Sequence, residues 1–81
     1  MYNELYEAWR KEKENVEIQP LQKGFYARLA GYIKKIREEK RMLDEKTIKG
    51  KILQREEENT RTMIKELIQT RYEKMMRKIT D

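Results

Sequence analysis

The chain contains no cysteine, no histidine and no serine. The absence of cysteine excludes disulfide bonds and thiolate metal sites. The absence of histidine removes the commonest general base and metal ligand, and without serine the ordinary hydrolase nucleophiles are all missing. The three glycines, Gly24, Gly31 and Gly50, are isolated from one another, so no glycine-rich phosphate-binding loop is present. We therefore expect a protein that is not an enzyme and that holds no cofactor or metal.

Long apolar runs are missing as well. No stretch approaches about 18 consecutive apolar residues, and the N-terminus lacks the pattern of a signal peptide. We therefore expect an intracellular protein of the cytoplasm that does not enter a membrane. The chain has one proline and is 43% charged, a composition similar to that of hyperthermophile proteins.

The 81 residues suffice for one domain of marginal stability, since a chain of this size buries only about 60% of its surface on folding. Leu, Ile, Val and Phe together number 16, which places the composition close to that of disordered chains. The spacing argues against disorder, because apolar residues recur every three or four positions, the repeat of one helix face. We therefore predict an all-α fold of three helices, at about 2–14, 24–43 and 47–79.

Several residues mark the ends of these helices. Asn3 is a candidate N-cap for the first helix, and Asp44 and Thr47 are candidates for the third. Pro20 ends any helix that might run through residues 15–23. We interpret this segment, which follows the first helix, as an irregular or extended connector. We expect Trp9, the only tryptophan, to anchor the first helix in the core; the alternative is an exposed hot spot for a partner.

The third predicted helix is unusually long. At 1.5 Å per residue, Lys46–Ile79 extends over about 50 Å. A globule of 81 residues is only about 25–30 Å across. We expect this helix to overhang the rest of the chain, so that part of its apolar stripe has no intramolecular partner. Such a stripe is typical of a subunit that packs against another chain.

A second hypothesis comes from the basic residues. The chain has a net charge of +5, and residues 34–51 hold eight Lys and Arg against four acidic residues. Lys34, Lys35, Lys49 and Lys51 are therefore candidate contacts for phosphates, and the alternative function is that of a small basic nucleic-acid-binding protein. A solvated face of a highly charged protein gives the same pattern.

Three segments, in this order, are similar to one known family. YNELYEAWRKEKENVEIQPL is followed by FYARLAGYIKKIREE, and the long helix carries QREEENTRTMIKELIQTRYEKMMRKI. Together they resemble the helical domain of a GINS subunit, an archaeal replication factor related to the eukaryotic subunits Sld-five and Psf-one. The residues that carry the resemblance are Tyr6, Trp9, Pro20, Leu21, Phe25, Tyr26, Glu58, Asn59, Leu67, Arg71, Lys78 and Ile79.

The resemblance implies a non-catalytic scaffold of the archaeal replisome, associated with the nucleoid. GINS subunits pack through long helices into tetramers, either of four different subunits or of two types, with other GINS subunits as partners. The assembly binds the MCM replicative helicase and a Cdc-forty-five or RecJ-like protein. Family members of this order normally continue into a small β-rich domain, whereas this chain ends at Asp81. Direct DNA contact is expected to be weak at most.

Our main hypothesis places the subunit interface on the long helix. The resemblance assigns Arg71 and Lys78 to subunit packing and salt bridges. The full set of expected interface residues is Ile64, Leu67, Ile68, Arg71, Tyr72, Met75 and Ile79.

Overall fold

The computed structural model describes residues 1–80 and contains three α-helices and no strand in that range. Helix α1 is Tyr2–Glu14, α2 is Phe25–Met42 and α3 is Ile48–Thr80. The predicted all-α class, with three helices and a long last one, is confirmed. Asp81, the last residue of the expected domain, lies outside the described residues.

Helix α3 begins with a side-chain cap. The Thr47 hydroxyl accepts a hydrogen bond from the Gly50 N–H at 3.0 Å and donates one to the Asp44 carbonyl at 2.7 Å. Of the two expected candidates, Thr47 therefore caps the helix, while the Asp44 carboxylate closes the preceding turn by accepting the Lys46 N–H at 3.0 Å. The prediction for Asn3 was wrong, because α1 begins at Tyr2 with Met1 at the N-cap, so Asn3 lies inside the helix.

Glycine has a separate role at each of two helix starts. Gly24 precedes α2 in the left-handed conformation, with φ of 71°, which residues with a Cβ rarely adopt. Gly50 lies in the first turn of α3, where a Cβ would meet the Asp44 carbonyl oxygen at 2.2 Å. The tight turn between α2 and α3 therefore requires a glycine at this position.

The two shorter helices run along α3 in opposite directions. Trp9 hydrogen-bonds Glu66, and Glu12 pairs with Lys74 further along, so α1 is parallel to α3. Helix α2 is antiparallel to α3, because its first turn packs near Leu67 whereas Lys40, near its end, pairs with Glu57 at 3.0 Å. The two helices thus cover different but overlapping lengths of α3.

The expected overhang of α3 is present at its C-terminal end, where residues 75–80 are all exposed. The molecule measures 51 × 21 × 18 Å, and its radius of gyration is 15.0 Å, against about 12 Å for a compact chain of this length. The long dimension matches the length of α3 itself, about 50 Å. Helix α3 therefore runs the whole length of an elongated molecule, and it is uncovered along one side and around its last turn and a half.

The core lies where all three helices overlap. Each fully buried aliphatic or aromatic side chain contributes about 1.5–3 kcal/mol to folding. Trp9 packs against this core, as expected for an anchor, and is joined there by half-buried Tyr32, Ile33 and Ile64. The central buried cluster consists of Leu5, Phe25, Leu29, Met63 and Leu67.

Candidate interaction surfaces

Four large apolar side chains form a continuous exposed row on the C-terminal half of α3. We call this row, Ile68, Tyr72, Met75 and Ile79, the α3 stripe. The spacing of four, three and four residues keeps these side chains on one face of the helix. They are 50–76% exposed. The stripe lies about 120° around the helix from the buried row that contains Met63 and Leu67.

The remaining expected interface residues have other positions. Leu67 is only 1% exposed and belongs to the core, so it does not reach the surface. Arg71 is half-buried and donates to the Glu12 carboxylate at 2.8 Å and to the Gln19 carbonyl at 2.6 Å. Ile64 is half-buried between α2 and α3. Of the seven expected residues, the structure therefore brings four together on the exposed face.

A buried ion cluster holds this part of α3 against α1. The Glu12 carboxylate is fully buried and accepts bonds from Lys74 at 2.7 Å and Arg71 at 2.8 Å, and from the Gln19 N–H at 3.1 Å. Lys74 also donates to the Glu12 and Glu17 carbonyls. Burial raises the pKa of Glu12, but the hydrogen bonds from Lys74, Arg71 and Gln19 outweigh it, so the pKa lies below its usual range.

The sequence contained a signal for this cluster. Glu12 falls at the next position of the helical repeat that begins with Leu5 and Trp9, so a carboxylate occupies a core-facing position. A buried carboxylate needs cationic partners, and Arg71 and Lys74 lie three apart on one face of α3. The periodicity of each helix does not show which residue of α1 faces which residue of α3. It therefore could not predict that Glu12 meets Arg71 and Lys74.

A second set of contacts links α1 to α3 at the surface. The Trp9 indole N–H and the Lys13 ammonium group both donate to the Glu66 carboxylate, at 3.0 and 2.8 Å. The Lys13 ammonium group also lies 4.4 Å from the Trp9 ring centroid, in cation–π geometry. Hydrogen bonds from Lys13 and Trp9 lower the pKa of Glu66. These contacts use the polar edge of Trp9 within the chain.

An apolar groove lies between α2 and α3, next to the α3 stripe. We call it the α2–α3 groove; its volume is about 270 Å³. Buried Ile36 and Thr60 and half-buried Ile33 and Ile64 form its floor. Ile64 precedes Ile68 by one helical turn, so the groove runs into the stripe. The charged residues at its rim are Arg37, Glu57, Arg61 and Lys65.

Two buried hydroxyl groups lie at this groove, one on Thr60 in its floor and one on Tyr32, next to Ile33. Tyr32 Oη and Thr60 Oγ1 have no hydrogen-bonding partner among residues 1–80. Burial raises the pKa of Tyr32. Because a buried, unpaired hydroxyl group costs free energy, the packing of α2 on α3 is less favourable here than in the Leu5–Leu67 core.

The four lysines expected to contact phosphates are all exposed, but they do not form one patch. Lys34 and Lys35 are consecutive on α2, so their side chains point about 100° apart. Lys49 and Lys51 lie two residues apart on α3 and point in nearly opposite directions. Of the four, only Lys34 joins a cationic row, which it forms with Arg37 and Arg41 along α2 beside Ile33.

The Asp and Glu side chains of residues 1–80 form no group of three that could hold a metal ion. None of the three helices is both long enough and apolar enough to cross a bilayer.

Comparison with known proteins gives no match. No family model fits the chain, and neither the curated proteins nor the solved structures include a significant relative.

Proposed function

We propose that the protein is a non-catalytic assembly subunit that docks a helix of another subunit along the α3 stripe. The observation that carries this proposal is a row of four large apolar side chains, exposed on one face of a well-anchored helix. Contact of this row with water is unfavourable. A partner helix whose apolar side chains have the same spacing covers the row and excludes water from it. The stripe repeats every three and four residues, which is the seam of a short coiled coil.

The ion cluster supports this role by holding α3 against α1 on a different face from the stripe. Arg71 and Lys74 both bind Glu12, and they lie between stripe residues in the sequence. The first half of the stripe, Ile68 and Tyr72, therefore lies on a segment of α3 that is held against α1. A preformed surface loses less conformational entropy on docking than a flexible one, which favours binding.

A more specific form of the proposal is a GINS-type scaffold of the archaeal replisome, with the MCM helicase and a Cdc-forty-five or RecJ-like protein as further partners. It rests on the sequence resemblance, and the comparisons add nothing to it. The elongated three-helix domain and the exposed α3 stripe are compatible with assembly through long helices. Binding of the chain to a purified archaeal GINS subunit of the other type tests this form directly.

Light scattering tests the assembly function. In about 0.3 M salt, which screens weak charge contacts, the wild-type chain is expected to form a dimer or tetramer, alone or with the second GINS-type subunit. The double variant Ile68→Glu with Met75→Glu should be monomeric and keep its helix content. Ile48→Glu with Ile52→Glu is the matched control, because Ile48 and Ile52 are exposed on a different face of α3.

Two results would contradict the assembly function. One is a wild-type chain that stays a folded monomer at high concentration and in the presence of the second subunit. The other is an assembly that survives the charges in the stripe but is lost in the control variant.

The alternative function is nucleic-acid binding through Lys34, Lys35, Lys49 and Lys51. It predicts DNA affinity that falls steeply as the salt concentration rises, and that is lost when these four lysines are neutralised. The assembly function predicts weak DNA binding that depends little on these four positions.

A further inference from the structure

We infer that the α2–α3 groove binds an acidic amphipathic helix from a partner protein. The pair of helices α2 and α3 has a groove on each side. Helix α1 fills one of them, where Leu5 packs among Phe25, Leu29, Met63 and Leu67. The other groove has an isoleucine floor and no helix of residues 1–80 lies in it.

The charged residues around the groove indicate that the helix it binds is acidic. Arg37, Arg61 and Lys65 are exposed at the rim, and none forms an ion pair with another of the described residues. Glu57, the one acidic group at the rim, is already paired with Lys40. An apolar floor with a cationic rim complements a helix that has apolar residues on one face and carboxylates beside them.

The groove that α1 fills shows the same combination of apolar packing and pairs between carboxylates and cations. Helix α1 contributes Leu5 to the apolar core, while its Glu4 binds Arg28 of α2 and its Glu12 binds Arg71 of α3. Apolar side chains thus enter the middle, and carboxylates meet cations on both walls. The empty groove offers the corresponding cations, Arg37 on α2 and Arg61 on α3.

The floor argues for a helix and against a nucleic acid. Buried Ile36 and half-buried Ile33 and Ile64 give no aromatic surface on which bases could stack. Residues 57–65 of α3 span about 12 Å, or two helical turns, which a short amphipathic segment covers. The inference does not require the assembly function, since Ile33 and Ile36 lie outside the α3 stripe and the variant Ile68→Glu with Met75→Glu tests it on a monomeric chain.

Peptide binding tests the inference. The probe is a fluorescent peptide of about 14 residues, with leucines at helical spacing and glutamates elsewhere. The control peptide has the same composition with the leucines scrambled. Both are titrated against the wild-type chain and against Ile68→Glu with Met75→Glu, whose stripe cannot hold the peptide or a second copy. Methyl NMR of Ile33 and Ile64 locates the bound peptide.

We expect the amphipathic peptide to bind both proteins and to shift the Ile33 and Ile64 signals, with the scrambled peptide binding more weakly. Arg61→Glu with Lys65→Glu should reduce affinity by about tenfold or more. Lys49→Glu with Lys51→Glu makes the same charge change away from the groove and should leave affinity within about twofold. Circular dichroism checks that each variant remains helical.

Several results would overturn the inference. Equal binding of the two peptides, or equal losses in the two charge-reversal variants, would show non-specific attraction to a basic protein. A single-stranded DNA oligonucleotide that shifts the same methyl signals and displaces the peptide would assign the groove to nucleic acid. An absence of saturable peptide binding would show that the groove does not accept such a helix.

Discussion

Lys74 Nζ lies 2.7 Å from Glu12 Oε2, and both side chains are buried. This pair joins α1 to the C-terminal half of α3, where the core formed by Leu5 and its neighbours has ended. Lys74 also donates to the backbone carbonyls of Glu12 in α1 and of Glu17 in the connector, and Arg71 donates to that of Gln19 in the connector. One cluster therefore supplies hydrogen-bond donors to backbone carbonyls both at the end of α1 and in the connector that follows it.

Removal of Glu12 tests this role. Glu12→Ala leaves two cations near the interior without their carboxylate, and we expect it to lower the free energy of unfolding by about 3 kcal/mol or more. Glu14→Ala is the matched control, because Glu14 is exposed and its pair with Arg10 on the helix surface contributes little to stability. Urea denaturation followed by circular dichroism measures both variants. Equal losses in the two would contradict the importance of the buried pair.

The same carboxylate predicts how stability depends on pH. The folded-state pKa of Glu12 lies below its unfolded value of about 4.5, so the unfolded chain binds more protons in this range. The stabilisation is therefore complete above about pH 5.5 and is lost as the pH falls through the folded-state pKa. Lowered pKa values at Glu4 and Glu66 act in the same direction at the surface.

Glu12→Gln separates the buried group from the surface groups. The variant removes one titrating carboxylate, so its unfolding free energy should fall less steeply than that of the wild type between pH 5 and pH 3, about the range in which carboxylates titrate. Glu66→Gln should have a smaller effect on this slope. Urea unfolding at a series of pH values gives the comparison, and identical slopes in wild type and Glu12→Gln would show that Glu12 does not titrate with folding.

Two glycines in helices should respond to alanine in opposite ways. A Cβ at Gly50 would lie 2.2 Å from the Asp44 carbonyl oxygen, so backbone must move. We expect Gly50→Ala to cost about 1–3 kcal/mol. A Cβ at Gly31 meets nothing within 4 Å, so Gly31→Ala should gain about 0.5–1 kcal/mol from helix propensity. Thermal unfolding should show shifts of opposite sign, and a loss at Gly31 would indicate a close contact of that face with another chain.

The three helices could be predicted because local patterns specify them. Apolar repeats, the Thr47 cap and the break at Pro20 each act over a few residues, and the observed helix ends lie within one residue of the expected positions. The length of the molecule follows from the predicted long helix. The direction of α1 along α3 could not be predicted in this way, because it depends on long-range contacts such as Glu12 with Lys74.

The candidate surfaces also divide into a part that local periodicity predicts and a part that depends on how the helices pack. Periodicity placed Ile68, Tyr72, Met75 and Ile79 on one face of α3, and that face is exposed. It did not separate them from Leu67, because the broad apolar arc of the helix includes both a buried and an exposed side. The groove and its cationic rim combine residues from two helices, so they become visible only once α2 is docked on α3.

Leu67 and Ile68 are neighbours in sequence with opposite expected roles. Leu67 is 1% exposed in the core, so Leu67→Ala should cost about 2–5 kcal/mol of folding free energy. Ile68 is 50% exposed, so Ile68→Ala should change monomer stability by less than about 1 kcal/mol and weaken assembly instead. Denaturation of the monomer and light scattering across protein concentrations measure the two effects separately. If Ile68→Ala destabilised the monomer as much as Leu67→Ala, the α3 stripe would be part of the intramolecular core, and the assembly function would lose its main support.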